Sequence, residues 1–422
     1  MKAVRPYSFK GKFLCGIIYG LMIPIAIVKG RKWRIPREFE ENPRTMRFKD
    51  IVYFAYKYYF HSSLNAPTNE IAEHFSKKYS IEPLVETLVT VSIGGDLMPY
   101  QMIRPETTTH LWDEVGSDFF GSDVVFANLE SPMDTSILPC YVPEVMLSDM
   151  LFNGDQKLFD IFSGNGKYKG YDVLSTANNH SLDMGPTGVK NTMEYLHQLN
   201  IQSVGTALDN AQDPVIVVKN GITIGFVAYT YSLNHLELPN EHYGLVNVLP
   251  LNVPGCDITL IQEQTQQCRD AGADIVICSL HCGNAYQAYP SQTTVDLYQK
   301  IFSECGVDVI AGGHPHNLQP WQYYPFTDPF TGKQKRGFSI YSLGDFIAYD
   351  IYTWSHLCAY VKLSIGKNKD GEIAVTADVH PMVMALTNGQ LQLKYAKDVL
   401  SKSHLSNEEK DLKLLYDVCV RP

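Results

Sequence analysis

The sequence has no C-x-x-C pair, although nine of its 422 residues are cysteines. Structural zinc clusters need cysteines at such paired spacings, so this class of metal site is excluded. The odd cysteine number argues against a disulfide framework and favours a reducing compartment such as the cytoplasm. Cys278, inside the apolar run 275–278, is typical of a buried thiol.

A nucleotide-binding loop of the pattern G-x-x-x-x-G-K-[ST] is also missing, which excludes ATP chemistry carried by that kind of loop. The chain has no excess of positive charge. Its formal net charge is −10, so we expect no nucleic-acid partner. Hydrophobic residues make up 45% of the chain, which is enough for a large folded core.

No uninterrupted apolar run reaches the roughly 20 residues of a membrane-spanning helix. The longest, residues 13–28, has 16 residues, contains Pro24 and is followed by a basic stretch at 29–34. No clean small-residue cleavage site follows it. We expect a buried or interfacial segment, with a membrane anchor or an uncleaved signal as the alternative. Localisation therefore stays open between the cytoplasm, which the cysteines favour, and a membrane.

Strand-like and helix-like segments alternate from about residue 88, which predicts an α/β domain with buried sheets. The runs that predict strands include 88–93, 124–127, 172–175, 274–280 and 307–311. We divide the chain into an N-terminal extension (1–87), a main domain (88–385) and a charged, helical C-terminal tail (386–422).

Five of the predicted strands end in side chains that can bind a metal. These side chains are Asp96, Asn128, Glu130, Asn178, Asn179, His180, His281, His314 and His316. In open α/β folds, ligands bind outside the carboxyl ends of the strands. Each residue also has an ordinary structural interpretation, such as a helix cap for Asp96 or a hydrogen-bonded turn for Asn179. Five such strand ends together favour a common site.

The mixture of donor atoms points to a borderline divalent ion, because carboxylates, an amide and imidazoles suit manganese, iron or zinc. The candidate ligands are Asp96, Glu130, Asn179, His281, His314 and His316. Six ligands are more than one tetrahedral ion needs, so we expect one or two ions. His180, next to Asn179, is the candidate general acid or the group that stabilises the developing charge.

Six motifs together resemble the bacterial capsule synthesis family of poly-gamma-glutamate capsule proteins (CapA/PgsA-like). They are GGDLMP, FANLESP, STANNHSLDMGPTGV, SLHCGNAYQAYP, AGGHPHNLQP and YSLGDFI, in this order, over about residues 88–350. The family's fold belongs to the calcineurin-like metallophosphoesterases. The resemblance therefore implies a four-layer α/β/β/α sandwich with a metal site between two sheets.

The resemblance also implies roles for individual residues. Asp96 matches the acidic ligand of the first motif, Asn179 the bridging amide and His180 the catalytic histidine. Glu130 stands where the wider superfamily has a metal-bridging aspartate. The histidine ligands correspond to His281, His314 and His316. We expect Asn128, Asn178 and Asn284 to contact substrate.

Three positions depart from the expected patterns. Met98 stands where the wider phosphoesterases have a histidine, a change that capsule-family members share. Ala285 stands where family members often carry a glutamate, and Asp345 where they commonly carry an asparagine. These departures bear on catalytic competence more than on the fold.

Two functional hypotheses follow. The first is a metal-dependent hydrolase that acts on a phosphoester or an amide-linked polymer, with a polyanionic polymer or a phosphorylated small molecule as its substrate. The second is a non-catalytic accessory protein that binds polyglutamate or membrane-associated capsule assembly proteins. Direct formation of the amide bond is discounted, because that reaction requires an activated carboxylate and the nucleotide loop is missing.

Overall fold

The structure is a computed structural model that describes residues 6–30, 48–60, 67–145 and 150–420. Fourteen strands in these ranges form two sheets: β1 Glu86–Leu97, β2 Val124–Leu129, β3 Val173–Ser175, β4 Gln202–Val204, β5 Val215–Lys219, β6 Ile222–Thr230, β7 Ile275–His281, β8 Val309–Gly313, β9 Trp321–Thr327, β10 Gln334–Ile340, β11 Asp345–Ile347, β12 Leu357–Lys367, β13 Ile373–Thr387 and β14 Gln390–Tyr395.

The same ranges contain ten α-helices: α1 Phe9–Lys29, α2 Phe48–Phe60, α3 Asn69–Ser76, α4 Gly116–Phe119, α5 Gln156–Phe162, α6 Gly185–Gln198, α7 Thr259–Asp270, α8 Gln292–Lys300, α9 Ala396–Leu400 and α10 Asn407–Val420. A π-turn at Ile301–Cys305 continues α8, and short 3₁₀ turns lie at Asn240–His242 and Thr353–His356.

The first sheet has eight strands in the order β14-β13-β12-β1-β2-β3-β4, with β11 paired to β1. The second has six strands in the order β5-β6-β7-β8-β10-β9. In the first sheet, β1 to β4 are parallel neighbours. In the second, β6, β7, β8 and β10 are parallel neighbours. The carboxyl ends of each parallel set therefore lie at one edge of its sheet, where ligand sites form in open α/β folds.

The two sheets pack face to face around an apolar core. Val91 and Ile93 of β1, Phe126 of β2, and Phe226 and Ile277 of the second sheet all belong to this core. Because successive residues of a strand point to opposite faces, their neighbours in sequence face outwards instead. Parallel strands covered on both faces read as continuous apolar runs, as in the fully buried β7.

Each outer face is covered by helices. Val125 and Leu174 of the first sheet pack with Phe162 of α5 and Leu196 of α6. A corresponding cluster on the second sheet contains residues of α3, α7 and α8, among them Ile71, Ile261 and Tyr298. The order of layers is therefore helix, sheet, sheet, helix, and the predicted α/β/β/α sandwich is confirmed.

The apolar N-terminal segment forms a longer helix than predicted. It spans the 21 residues of α1, and Pro24 lies inside it without ending it. By length and composition α1 could cross a membrane, and only 17% of its most apolar 18-residue window is buried. Most of this window is therefore exposed, which does not suit a buried segment, and the interfacial and membrane-anchor interpretations stay predictions. Cys15 and Met22 face an aromatic cluster from α2, whereas Phe13 and Leu21 are more than 60% exposed.

The cluster between α1 and α2 also reaches the main domain. Tyr53, Tyr56 and Tyr59 of α2 are buried there, and Ile351 from the main domain packs among them at 6% exposure. The described parts of the N-terminal extension are thus packed on the sandwich, and α3 belongs to its outer helical layer.

The predicted start of the helical tail at residue 386 was wrong. Strand β13 runs to Thr387, and β14 adds a further strand to the first sheet, so the chain becomes helical only at Ala396. The segment QLQLKY alternates polar and apolar residues, and Leu391 and Leu393 are fully buried. This period of two is the usual pattern of a strand with one buried face.

The core between the sheets gives a prediction about stability. Phe226 is fully buried and stacks on Phe126 at a ring distance of 5.4 Å. We expect Phe226→Ala to lower the free energy of unfolding by about 3–5 kcal/mol, because it removes buried surface and leaves a cavity. The exposed Val218→Ala, on the neighbouring strand, should change it by less than about 0.5 kcal/mol. Urea denaturation followed by circular dichroism measures both, and a cost below about 1 kcal/mol for Phe226→Ala would contradict this packing.

Candidate metal centre

The predicted strand ends meet at one place. Asp96 comes from the end of β1, Glu130 directly follows β2, and His281 ends β7. His314 and His316 directly follow β8. Asp96 and Glu130 are fully buried and His281 is 1% exposed, so ligands from both sheets share a site shielded from solvent.

Gly313, the last residue of β8, makes this approach possible. A Cβ atom at this position would lie 2.7 Å from Asp96 Oδ1 and 3.2 Å from His281 Nδ1, which is closer than side chains tolerate. The backbone N–H of the next residue, His314, donates to Asp96 Oδ2 at 3.1 Å. Glycine at position 313 therefore supplies the space that these two ligands occupy.

Three of the six predicted ligands form a compact group. One ligand atom from each of Asp96, Glu130 and His316 lies within 4.8 Å of the other two. His281 borders this group, with Nε2 3.5 Å from Glu130 Oε1 and Nδ1 3.9 Å from Asp96 Oδ1. Two carboxylates and an imidazole are a donor set that borderline divalent ions accept.

The electrostatics of the two carboxylates favour a cation. Burial, helped by the nearby charge of Glu130, raises the pKa of Asp96 to about 6. Burial also works to raise the pKa of Glu130, but His281 and His316 outweigh it and hold this pKa below its ordinary value. Both groups are therefore mainly ionised at neutral pH, and their charges are close together.

Buried atoms without partners support the same conclusion. Among the described residues, neither carboxylate oxygen of Glu130 has a hydrogen-bond partner, and Nδ1 of His314 has none. Buried polar atoms in native proteins are nearly always paired, so such a cluster calls for an explanation. A divalent ion bound between the strand ends would satisfy these atoms, and the residues present fit it.

The two histidines of the His-Pro-His turn differ in their surroundings. Burial, together with the neighbouring His281, lowers the pKa of His314 well below its ordinary value, so its ring is neutral and able to bind a metal. Burial acts in the same direction on His316, but Asp345 and Glu130 outweigh it and raise that pKa to about 10. Both residues have positive φ, 91° and 59°, which is unusual outside glycine.

Asn179 is held in place by a residue that the sequence analysis missed. Its Oδ1 lies 2.7 Å from His281 Nε2, and its Nδ2 donates to Asn234 Oδ1 at 3.0 Å. Asn234 Nδ2 returns a bond to the Asn179 carbonyl at 3.1 Å. This reciprocal pair turns the Asn179 amide oxygen towards the site. Asn234 follows β6, another parallel strand, and that position was the available signal.

His180 lies beside the site in a fixed orientation. Its Nδ1 is 2.7 Å from Asp183 Oδ2, and its ring stacks on Phe152 at 3.9 Å. Asp183 Oδ2 also accepts from the Phe152 backbone N–H at 2.6 Å. Asp183 therefore fixes one edge of the ring and Phe152 covers one face, so Nε2 is the ring atom that can exchange a proton. Asp183 stands in the same motif as His180, and the three-residue spacing could have indicated it.

The three asparagines expected to contact substrate have different surroundings. Asn128 donates to Asp96 Oδ1 at 2.7 Å, so it supports a ligand. Asn178 is fully buried, donates to the Leu129 carbonyl and accepts from the His180 backbone N–H. These internal bonds use its polar atoms, and its contact with substrate remains a prediction. Asn284 is half-buried on the loop after β7, and its role stays a prediction.

The departures noted in the sequence also have structural counterparts. Met98, the residue that follows β1, packs into the apolar cluster on the helix-covered face of the first sheet. It therefore points away from the ligands. Asp345, by contrast, enters the site, and its Oδ1 lies 2.9 Å from His316 Nδ1.

Tyr286, next to the half-buried Ala285, is a further residue of this region. Its ring centroid lies 5.6 Å from that of His316, and its backbone has a positive φ of 58°. Its hydroxyl donates to the buried Asp350 at 3.3 Å, and its backbone N–H donates to the Pro315 carbonyl at 2.8 Å. These bonds tie the loop after β7 to the His-Pro-His turn.

Comparison with known proteins matches residues 90–350 to the family described as bacterial capsule synthesis protein PGA_cap. The chain is 30% identical over 346 residues to the PGA biosynthesis protein CapA of Bacillus subtilis (strain 168), covering 79% of this chain and 83% of that protein. It is 27% identical over 344 residues to the capsule biosynthesis protein CapA of Bacillus anthracis, covering 76% of each. The matched family region contains every candidate site residue.

Among solved structures, the calcineurin-like phosphoesterase YfkN from Bacillus subtilis is similar to this chain with a TM-score of 0.38 and 14% sequence identity. The alignment covers 79% of this chain and 98% of that chain.

The unpaired carboxylate of Glu130 gives a prediction about metal binding. Manganese at about one hundred times its dissociation constant should stabilise the wild-type protein by about 2.7 kcal/mol. We expect Glu130→Gln to lose most of this gain at the same manganese concentration, because it replaces a charged ligand by a neutral amide. Thermal unfolding with and without manganese, after chelation of bound metal, measures the difference.

The control is a buried aspartate outside the site. Asp308 pairs with Arg269 at 2.6 Å, away from the strand ends that form the site. Asp308→Asn should lower stability equally with and without manganese and so keep the metal-dependent gain. An equal gain in wild type and Glu130→Gln would rule out Glu130 as a ligand.

Proposed function

The chain belongs to the bacterial capsule synthesis protein family, and on this premise we propose that it acts in poly-gamma-glutamate capsule biosynthesis as a metal-dependent hydrolase. The observation that carries the proposal is the buried group of Asp96, Glu130 and His316, in which the carboxylate oxygens of Glu130 have no hydrogen-bond partner among the described residues. A site built in this way suits a divalent ion, and the relatives are named for capsule or PGA biosynthesis.

The proposed ligands fall into two neighbouring sets. Asp96, Glu130 and His316 would hold one ion, and His281, His314 and Asn179 border it closely enough to share or hold a second. Manganese, iron and zinc all accept these donors. A bound divalent ion polarises a phosphoryl or carbonyl oxygen and lowers the pKa of a bound water.

The protein's own contribution to the reaction comes from His180. Its Nδ1 is engaged by Asp183, so the Nε2 edge is the one available to exchange a proton with a reacting group. Because Phe152 covers one face of the ring, the imidazole cannot rotate freely when a substrate arrives. We assign His180 the role of general acid that protonates the leaving oxygen or nitrogen.

The substrate is proposed as a phosphodiester or the amide bond of an anionic polymer. Each presents an oxygen that a divalent ion can polarise and a leaving group that needs a proton. A purely accessory role is not favoured, because the His180–Asp183 pair is intact and buried within the same group of strand ends. Met98, which stands where the wider phosphoesterases have a histidine, removes one ligand position but leaves this acid untouched.

His180 provides the direct test of catalysis. We expect His180→Ala to lower the rate of hydrolysis about 10²–10⁴-fold, because a positioned general acid contributes about this much. Bound manganese should stay unchanged, since His180 is not among the proposed ligands. Bis(p-nitrophenyl) phosphate and poly-gamma-glutamate should both be assayed, and the metal content measured in the same preparations.

The sequence offers a matched control for this substitution. His110 also pairs with an aspartate three residues later, Asp113, at 2.6 Å, but both side chains are about half exposed. His110→Ala should leave the rate unchanged. A His180→Ala variant as active as wild type on every cleaved substrate would contradict the proposed mechanism.

We also propose that the exposed face of α1 contacts a lipid membrane, which would place the protein beside membrane-associated assembly partners. Phe13, Ile17 and Leu21 follow one another at helical spacing on this face and are 46–64% exposed. Lys10 and Lys12 precede them and Lys29 follows, and basic flanks suit anionic lipid.

The membrane contact can be tested without removing the helix. We expect the double substitution Ile17→Asp and Leu21→Asp to shift the protein from the membrane fraction to the soluble fraction of lysed cells. A charge at the centre of an inserted helix costs about 2.5–3.5 kcal/mol. Leu138→Asp, at another exposed leucine, should fractionate like the wild type. Wild-type protein found only in the soluble fraction would refute the proposal.

A further inference from the structure

Asp345 is a buried carboxylate with a single polar side-chain contact among the described residues. It opens β11, and the parallel pairing of β1 with β11 places it directly opposite Asp96. Its Oδ1 lies 2.9 Å from His316 Nδ1, while its Oδ2 is buried without a hydrogen-bond partner. Burying a carboxylate is costly, and here the compensating bond goes to one histidine. His316 is therefore the partner that explains the placement of Oδ1.

We infer that Asp345 is a positioning residue that fixes the ring of His316, so that Nδ1 carries the proton and Nε2 faces Asp96 and Glu130. The inference rests on the proposed function in one respect, since it takes His316 to be a metal ligand. Metal-binding histidines commonly donate their second ring N–H to a carboxylate, which sets both the tautomer and the ring orientation.

The local backbone shows why His316 needs such a partner. The residue stands on a turn in which His314 and His316 both have positive φ, a conformation that persists only when the surroundings hold it. The ring of Tyr286 lies 5.6 Å away at an interplanar angle of 33°, so it limits movement on one side only. The hydrogen bond to Asp345 supplies the remaining constraint, because it prevents the His316 ring from rotating about its bond to Cβ.

The geometry assigns Asp345 to positioning rather than to direct metal binding. The ligand atoms that lie within 4.8 Å of one another belong to Asp96, Glu130 and His316, and Asp345 is outside this group. Its bonded oxygen already accepts from His316. Asp345 therefore contacts His316, and His316 would contact the ion.

This arrangement predicts a graded response to substitution. Asp345→Ala removes the acceptor, and we expect it to weaken manganese binding about 10–100-fold, as is usual when the partner of a ligand histidine is lost. Asp345→Asn keeps an oxygen that can accept from Nδ1–H, so we expect a loss below about 10-fold. Isothermal titration of manganese into metal-free full-length protein measures both affinities.

A second readout separates positioning from a general loss of structure. In ¹⁵N spectra of histidine-labelled protein loaded with diamagnetic zinc, His316 should carry its proton on Nδ1 in wild type and in Asp345→Asn, and should show a mixture of the two ring forms in Asp345→Ala. The signal is assigned from its absence in His316→Gln. Asp328→Asn, which neutralises another buried aspartate that is bonded to Lys335, serves as the control and should change neither measurement.

The outcomes distinguish this inference from the proposed function. Wild-type affinity in a folded Asp345→Ala variant would overturn the positioning role, and so would an Nε2–H tautomer of His316 in wild type. If wild-type protein binds manganese and zinc and shows the Asp345-dependent tautomer but hydrolyses neither assay substrate, the proposed function fails while the positioning role stands. If Asp345→Ala does not fold, the tautomer in Asp345→Asn decides: retention of Nδ1–H supports the inference and its loss overturns it.

Discussion

The structure of this site depends on the close placement of two buried carboxylates, Asp96 and Glu130. Each comes from the end of a strand in the first sheet, while His281 and His316 approach from the second sheet. A cation held by this group would therefore connect the two sheets directly. The close placement of these ligands also explains three neighbouring residues. Gly313 supplies space, Asn128 binds Asp96, and Asn234 turns the Asn179 amide.

Much of this arrangement could be predicted from the sequence, because the signals are local. An apolar run that ends in Asp96 or His281 predicts a buried strand, and its last residue marks the carboxyl end at which ligands bind. The alternation of strands and helices, together with the family motifs, gave the four-layer fold correctly. The His-Pro-His turn was also placed correctly at the end of a strand.

The residues that were missed act through contacts that sequence distance hides. Asp345 reaches His316 because β11 pairs with β1, and Asn234 reaches Asn179 across 55 positions of the chain. Met98 packs against the helical layer outside the first sheet, a placement that no local pattern reveals. The prediction for β14 was wrong for another reason. Its alternating pattern is short and is followed directly by a charged segment, so both were assigned to one helical tail.

The packing of Ile351 against the N-terminal helices matters for how the protein is prepared. Removing an apolar N-terminus is a common way to improve yield in expression. Here it would uncover Ile351, whose neighbour Asp350 anchors the hydroxyl of Tyr286 beside His316. A shortened protein would expose an apolar surface close to its metal ligands. A loss of activity would then result from the truncation and not from any change in the catalytic residues. Solubilising substitutions on the exposed side of α1 would keep the N-terminal helices packed over Ile351.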